Sequence, residues 1–311
     1  MCGHSGKVVD KDVTVIPNCP YFLKGSSRIL LVIIFLISSC GPSSKEIQAT
    51  AQAEIAKVEM GLVPEGEFIM GNEIQPAPTG FAETYPVEKY EQPVHTVFLD
   101  TYYIDKYEVT NTQYKLCVDV GQCRSPYSHK FYDNPQYSQH PVVFINWKMA
   151  KLFCEWRGAR LPTEAEWEKA AGWDDENHIK RIYPWGDSID CSFANYNRTC
   201  IGETTKVGSY PTGASPYGAL DMAGNVWEWV GDAYIWNYYA MYPADEWPPN
   251  PAGPEYMDFE DREEDSIDGR VARGGNYENS DYRVRTTFRF RFDKDSAGEG
   301  IGFRCAMSTI P

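Results

Sequence analysis

The sequence predicts an α+β domain with little regular secondary structure, and three observations carry that reading. Thr110/Gln113 and Thr163/Glu166 each form a capping-box pattern, the signature of a helix N-terminus. The run V-H-T-V-F-L, from Val94 to Leu99, alternates as a half-buried strand does. Nine Trp and 21 Tyr beside 25 Gly and 21 Pro point to short elements joined by structured turns rather than to long helices.

The elements follow in order. Lys24 and Arg28 precede nine apolar residues, Ile29 to Ile37, too few to span a bilayer as a helix but of the length of a signal-peptide apolar region. Ser38, Ser39 and Cys40-Gly41 come next, a pattern similar to the bacterial lipobox, in which the cysteine is lipidated; ordinary secretory cleavage is the plainer alternative. Residues 1–39 are therefore expected to be a lipoprotein signal peptide with an over-long start, 40–60 a flexible polar, Ala-rich tether, and 61–309 the domain. Within the domain, 94–99 and 102–104 read as strands. A helix starts after Thr110 and ends at Gly121; a second runs from Asn146 to Trp156, with Met149, Phe153 and Trp156 on one face, and stops at Gly158. A third opens at Thr163 with Trp167, Ala170 and Ala171 toward the core. From Ile182 onward the periodicity gives way to turns and short strands.

Charge narrows the partners. With 29 Lys and Arg against 44 Asp and Glu, the chain carries a formal charge of −15, which repels phosphate backbones and excludes nucleic acid as an expected ligand. Eight acidic residues fall between Glu255 and Asp268, a composition typical of a solvated loop. Cysteine usage fits an oxidising compartment. Beyond Cys2, Cys19 and Cys40, six remain: Cys117 and Cys123 bracket one short turn, Cys191 and Cys200 another, and Cys154 and Cys305 are left to pair over a long separation.

Eight motifs occur in order: G-E-F-I-M-G (66–71), Y-E-V-T-N-T-Q-Y (107–114), P-V-V-F-I-N-W (141–147), R-L-P-T-E-A-E-W-E (160–168), Y-P-W-G-D (183–187), Y-G-A-L-D-M-A-G-N-V-W-E-W (217–229), R-G-G-N-Y (273–277) and G-F-R-C (302–305). Together they resemble the formylglycine-generating enzyme, or sulfatase-modifying factor, family. The resemblance implies a decorated C-type-lectin-like fold with cysteines at the positions of Cys154 and Cys305 paired. It also implies chemistry in which two cysteines hold Cu(I) and oxygen converts a cysteine in a C-x-P-x-R context to formylglycine. Here the positions of those two cysteines fall on Asn279 and Val284, and the serine of the R-G-G-S-Y motif is Asn276. Neither Asn279 nor Val284 offers the soft thiolate that Cu(I) prefers, so no copper is expected and the segment reads as vestigial.

Calcium is the metal expected instead. Asp221 and Glu228 flank the turn through Gly224-Asn225, and calcium prefers several hard oxygens. By resemblance Asp221 and Glu228 would ligate through side chains and Gly224 and Val226 through carbonyls. A second, weaker site would start at Asn195 and Tyr196, with Glu203 as its acidic candidate. The alternative for the first site is a glycine-centred turn with Trp227 and Trp229 as packing residues. The histidines are scattered: His95 lies in a strand, and His129 and His140 approach Asp133 only if a loop folds them together.

Two further stretches bear on binding. Arg283, Arg285, Arg289 and Arg291 alternate with Val284, Thr286, Phe288 and Phe290, the pattern of a strand whose arginines pair with carboxylates or, alternatively, form a patch for an acidic ligand. Tyr234 to Tyr239 suits sugar or peptide recognition as well as packing. The whole points to a lipid-anchored, extracytoplasmic protein of the bacterial cell envelope. Its expected role is a non-catalytic scaffold for an envelope protein, peptide or glycan; the alternative is an oxidoreductase acting on a protein or peptide through an altered site.

Overall fold

In the computed structural model, residues 43–72, 89–253 and 269–309 are described. The leader, Cys40 and the acidic stretch 255–268 lie outside them, and all that follows concerns the unit Pro42–Pro311. The first element is α1 (Ser44–Ile55), where a tether is expected from composition. Ser43 and Glu46 close a capping box, the Ala-rich run favours helix, and Ala51 and Ile55 are buried. Only the few residues after Ile55 connect it to β1 (Met60–Val63).

The strands form small sheets. β2 (Gly66–Met70) pairs antiparallel with β3 (His95–Leu99), turning Phe68, Met70, Val97 and Leu99 inward while Glu67 and Phe98 face out. β4 (Tyr102–Asp105) lies between β1 and β11 (Ala306–Met307), antiparallel to both. The two-residue strands β5 (Trp173–Asp174) and β6 (Ile179–Lys180) pair in a short hairpin. The largest sheet has the order β10-β7-β8-β9, with β7 Trp227–Ala233, β8 Gly269–Arg273, β9 Phe290–Asp293 and β10 Ile301–Phe303; β10 runs parallel to β7 and the other pairs are antiparallel.

The helices start where their caps place them. α2 (Asn111–Asp119) has its Thr110/Gln113 box, and Gly121 follows it with φ +73°. α3 (Trp147–Trp156) is capped by the Asn146 side chain on the Met149 N–H. α4 (Glu164–Gly172) is buried along its whole length, its Glu and Lys side chains included. α3 packs on β7, and α4 on β7 and β8. One core gathers Tyr114, Phe153, Trp229 and Phe303; a second gathers Phe68, Val97, Tyr102, Trp167 and Tyr239. Three disulfides form, Cys117–Cys123, Cys191–Cys200 and Cys154–Cys305.

The arginine-rich stretch departs from its expected strand. Asp281–Val284 is a 3-10 turn, the Phe288 N–H returns to the Arg285 carbonyl at 3.2 Å, and extended pairing begins only at Phe290. Arg285 Nε binds the Tyr282 carbonyl at 2.9 Å, which bends the chain where an alternating ladder would have continued. Arg285 and Arg289 point inward: Arg285 pairs with buried Glu91 and Arg289 with buried Glu164. Carboxylate pairing, not an exposed basic patch, is the use made of them.

Candidate functional site

The segment 276–284 leads out of β8 through Gly274 and Gly275, both left-handed (φ +87° and +70°). A Cβ on Gly275 would lie 2.6 Å from Val284 Cγ1, so only glycine permits this approach. Asn276 and Asn279 then spend their side chains on their own turn. Asn279 Oδ1 accepts the Asn276 N–H at 2.9 Å, and Asn276 Oδ1 accepts the Glu278 N–H at 3.1 Å. Short polar side chains compete well for nearby backbone groups, so two asparagines here make a rigid turn rather than a reactive surface. Val284 is fully buried, packed with Tyr183 and Ala223 and bordered by half-buried Ile182, Trp185, Ile189 and Tyr196. Where the family resemblance implies a thiolate, this chain has a filled apolar cluster.

Two of the residues expected to ligate calcium, Asp221 and Glu228, are neighbours in a buried, negatively charged group. Asp221 (φ +59°), Gly224 (+87°) and Asn225 (+60°) are all left-handed, which folds the D-M-A-G-N turn back on itself before β7. Glu228 is taken up by Arg304: Nη2 donates to Oε1 at 2.7 Å and Nε to Oε2 at 2.6 Å, while Trp167 Nε1 donates to Oε2 at 2.8 Å. Three of its roughly four acceptor positions are thus occupied. Asp221 accepts the Gly208 N–H at 2.6 Å. A residue that sequence reasoning missed, Glu108, joins them. Its Oε2 accepts from Asn225 Nδ2 at 3.0 Å, and its Oε1 is buried without a hydrogen-bond partner.

Electrostatics there are unbalanced. Burial pushes the Asp221 carboxyl up to about 6, with Glu228 adding to the rise. Burial, with Asp221 and Glu228 alongside, raises Glu108 well above the usual carboxylate range. Three carboxylates share the single guanidinium of Arg304. Among the described residues no group of three or more His, Cys, Asp or Glu side chains is arranged to hold a metal ion, and a dry group of this composition favours a retained proton.

The second expected site is arranged differently. Buried Asn195 donates from Nδ2 to the Glu203 carbonyl at 2.8 Å, its Oδ1 is without a partner, and its carbonyl accepts the Asn225 N–H. The Glu203 carboxylate instead accepts from the Tyr137 hydroxyl at 2.8 Å, and Tyr196 packs beside Val284. The histidines do not gather. His129 pairs with Asp133 at 2.6 Å, whereas His140 bonds Thr204 at 3.1 Å. His95 is buried against Trp247, centroids 4.0 Å apart, and that burial pushes its imidazole down to about 4.

Of the aromatic run, Tyr238 and Tyr239 belong to the second core and Arg289 lies over Tyr239 at 4.3 Å; Trp236, 55% exposed, is the side chain left on the surface. α4 carries an ion network that its sequence, reading like a solvated face, does not reveal. Glu164 accepts from Arg273 and Arg289, and Glu168 from Arg273 and Lys180.

Comparison with known proteins matches residues 45–309 to FGE-sulfatase, the sulfatase-modifying factor enzyme 1-like domain. The chain is 38% identical over 175 residues to the serine/threonine-protein kinase pkn1 of Chlamydia pneumoniae, covering 56% of this chain and 25% of that protein. It is 33% identical over 188 residues to the formylglycine-generating enzyme of Mus musculus, covering 56% and 46%. It is also 33% identical over 183 residues to the inactive C-alpha-formylglycine-generating enzyme 2 of the same species, covering 54% and 49%. The matches thus span a quarter to a half of these relatives' own length. Among solved structures, PvdO from Pseudomonas aeruginosa superposes with a TM-score of 0.60 at 24% identity, over 81% of this chain and 95% of that one, a likeness of fold. The eight ordered motifs, the α+β fold and the match over 45–309 place this chain in the sulfatase-modifying factor, or formylglycine-generating enzyme, family.

Proposed function

We propose that this protein is a non-catalytic member of its family, held at the extracytoplasmic face of the cell envelope by lipid on Cys40, where its domain binds an envelope protein, peptide or glycan. The observation that carries the proposal is the pair Asn279 and Val284. One is spent on a turn and the other on an apolar cluster, so neither supplies the thiolate that copper chemistry needs. The similarity to a relative named inactive supports it. Mixed with a C-x-P-x-R peptide, Cu(I) and oxygen, the protein is expected to leave the peptide mass unchanged. Formylglycine above the level of an enzyme-free control would overturn the reading. For the anchor, Cys40→Ala is expected to move the protein from the membrane to the soluble fraction on detergent partitioning, and a variant that stays with the membrane refutes it.

We propose further that calcium is a structural ion of this domain. What supports it is donor type: Asp221 and the unpartnered Glu108 oxygen are hard anionic groups, and Gly224 and Val226 offer backbone carbonyls in the neighbouring turn. Calcium at about a hundred times its Kd adds about 2.7 kcal/mol to stability, a shift of several degrees in Tm. Chelation should remove that shift, and Asp221→Ala should abolish it. An equal response of wild type and variant to calcium would rule out this location.

A further inference from the structure

The three disulfides differ sharply in accessibility. Cys117, Cys154 and Cys305 are wholly buried and Cys123 is 9% exposed. Cys191 is exposed and Cys200 half-buried. Between them runs a loop that closes over the vestigial segment. The Asn197 N–H donates to the Asn279 carbonyl at 2.7 Å, and the Arg198 N–H to the Tyr277 carbonyl at 2.6 Å. Tyr196 borders the cluster around Val284. We infer that Cys191–Cys200 is a thiol–disulfide exchange site for a dithiol reductant, and that its reduction lifts residues 196–200 from the segment 277–284. This inference goes beyond the proposed function and stands whether or not the domain is catalytic.

The two halves of the loop are held by different means. Residues 192–195 have anchors of their own: Thr212 Oγ1 donates to the Ser192 carbonyl at 3.0 Å, Phe193 stacks on Trp185 with centroids 5.2 Å apart, and Asn195 is bonded to Asn225 and Glu203. Residues 197 and 198 are held by their backbone bonds to the facing turn, by a local bond from the Thr199 N–H back to the Asn197 carbonyl, and by an exposed ion pair from Arg198 to Glu278, an interaction of little worth in water. Both are non-glycine residues in the left-handed region, φ +53° and +32°. Such conformations persist where the surroundings over-determine them, and the disulfide at the base of the loop supplies that constraint. Once it opens, Tyr196 can leave and the apolar cluster at Val284 gains a solvent-facing side.

The exchange balances without a further reagent. A thiolate of the dithiol attacks Sγ of Cys191, the S–S bond breaks, and Cys200 leaves as a thiolate. The second thiol of the reductant attacks the mixed disulfide, expels the Cys191 thiolate and closes the reductant's own disulfide. Two electrons pass to the protein, and the two cysteine thiolates take up the two protons that the dithiol gives up.

The test uses the full chain, a graded series of dithiothreitol concentrations, quenching with iodoacetamide and peptide mass analysis. Cys191 and Cys200 are expected to be alkylated at least ten-fold faster than the other two pairs. In the selectively reduced protein, tryptic cleavage after Arg198, whose side chain is 71% exposed, should accelerate at least ten-fold. The amides of Asn197 and Arg198 should lose their hydrogen-exchange protection, and the double variant Cys191→Ala, Cys200→Ala should show both effects without reductant. Equal labelling of a buried pair overturns the inference. So does selective reduction that leaves Arg198 as resistant as before.

Discussion

Arg304→Met is expected to destabilise the domain by about 3 to 5 kcal/mol at neutral pH, the usual cost of removing one partner from a buried ion pair. Arg304 is wholly buried, binds both oxygens of Glu228 and donates to the carbonyls of Asp105 and Leu220. In calcium-free buffer, without it, Glu108, Asp221 and Glu228 share a dry space with no positive charge from the protein. In a domain of this size the loss corresponds to a fall in Tm on the order of 10 °C. The loss also depends on pH, with a sign that follows from linkage. Asp221 is pushed up to about 6 in the folded protein, against about 3.9 unfolded. The folded state therefore holds the extra proton between those values, and the cost of ionising Asp221 grows as pH rises through them and is fully present above about 6. Removing the guanidinium raises Asp221 and Glu108 further, so the difference between Arg304→Met and wild type should shrink on acidification from pH 7 to 4.5, where those two can be neutral. Urea titrations at those two pH values measure it. A difference that is small and independent of pH would show that Arg304 does not neutralise this group.

The double variant Cys154→Ala, Cys305→Ala should lose about 4 to 5 kcal/mol, because the bridge closes a sequence separation of 151 residues in the unfolded chain. Alanine avoids burying hydroxyls where both sulfurs are buried. The matching change at Cys117 and Cys123, separated by 6 residues, should cost only about 2 kcal/mol on the same reasoning. Guanidinium titrations of the two variants test the ranking directly, and a larger loss for the short loop would mean that native packing, not chain entropy, sets the value of these bridges. Combined with Arg304→Met, the long-bridge variant should lose less than the sum, since residues 304 and 305 brace one segment.

Local signals were legible and long-range ones were not. The caps at Thr110, Asn146 and Thr163 are written within three or four residues of the helices they begin, and the structure starts each helix there. The alternation of 94–99 likewise describes β3. By contrast, Glu164 and Glu168 look like an exposed helix face until Arg273 and Arg289 arrive from more than a hundred residues away to neutralise them. Arg285 and Arg289 read as strand residues because their partners, Glu91 and Glu164, lie 194 and 125 residues away in sequence. Glu108 hides inside a helix-entry motif whose neighbours, Thr110 and Gln113, explain themselves by capping. In the segment 276–284 the missing cysteines were plain from the residues alone. That Asn276 and Asn279 would lock one turn, and Val284 would fill an apolar cluster, required the fold.

The stretch from Ile301 to Met307 ties the molecule together. It adds β10 to one sheet and β11 to another, and between them it delivers Arg304 to Glu228 and Cys305 to Cys154. A chain growing from its N-terminus makes these residues last among the described elements, so until they emerge β4 and β7 each lack a neighbour, three buried carboxylates lack their cation, and Cys154 is a free thiol. Closure of this domain therefore waits until residues 301–307 have been made: a nascent chain halted before residue 301 should stay open to proteases and chaperones, then close in one late step once they emerge.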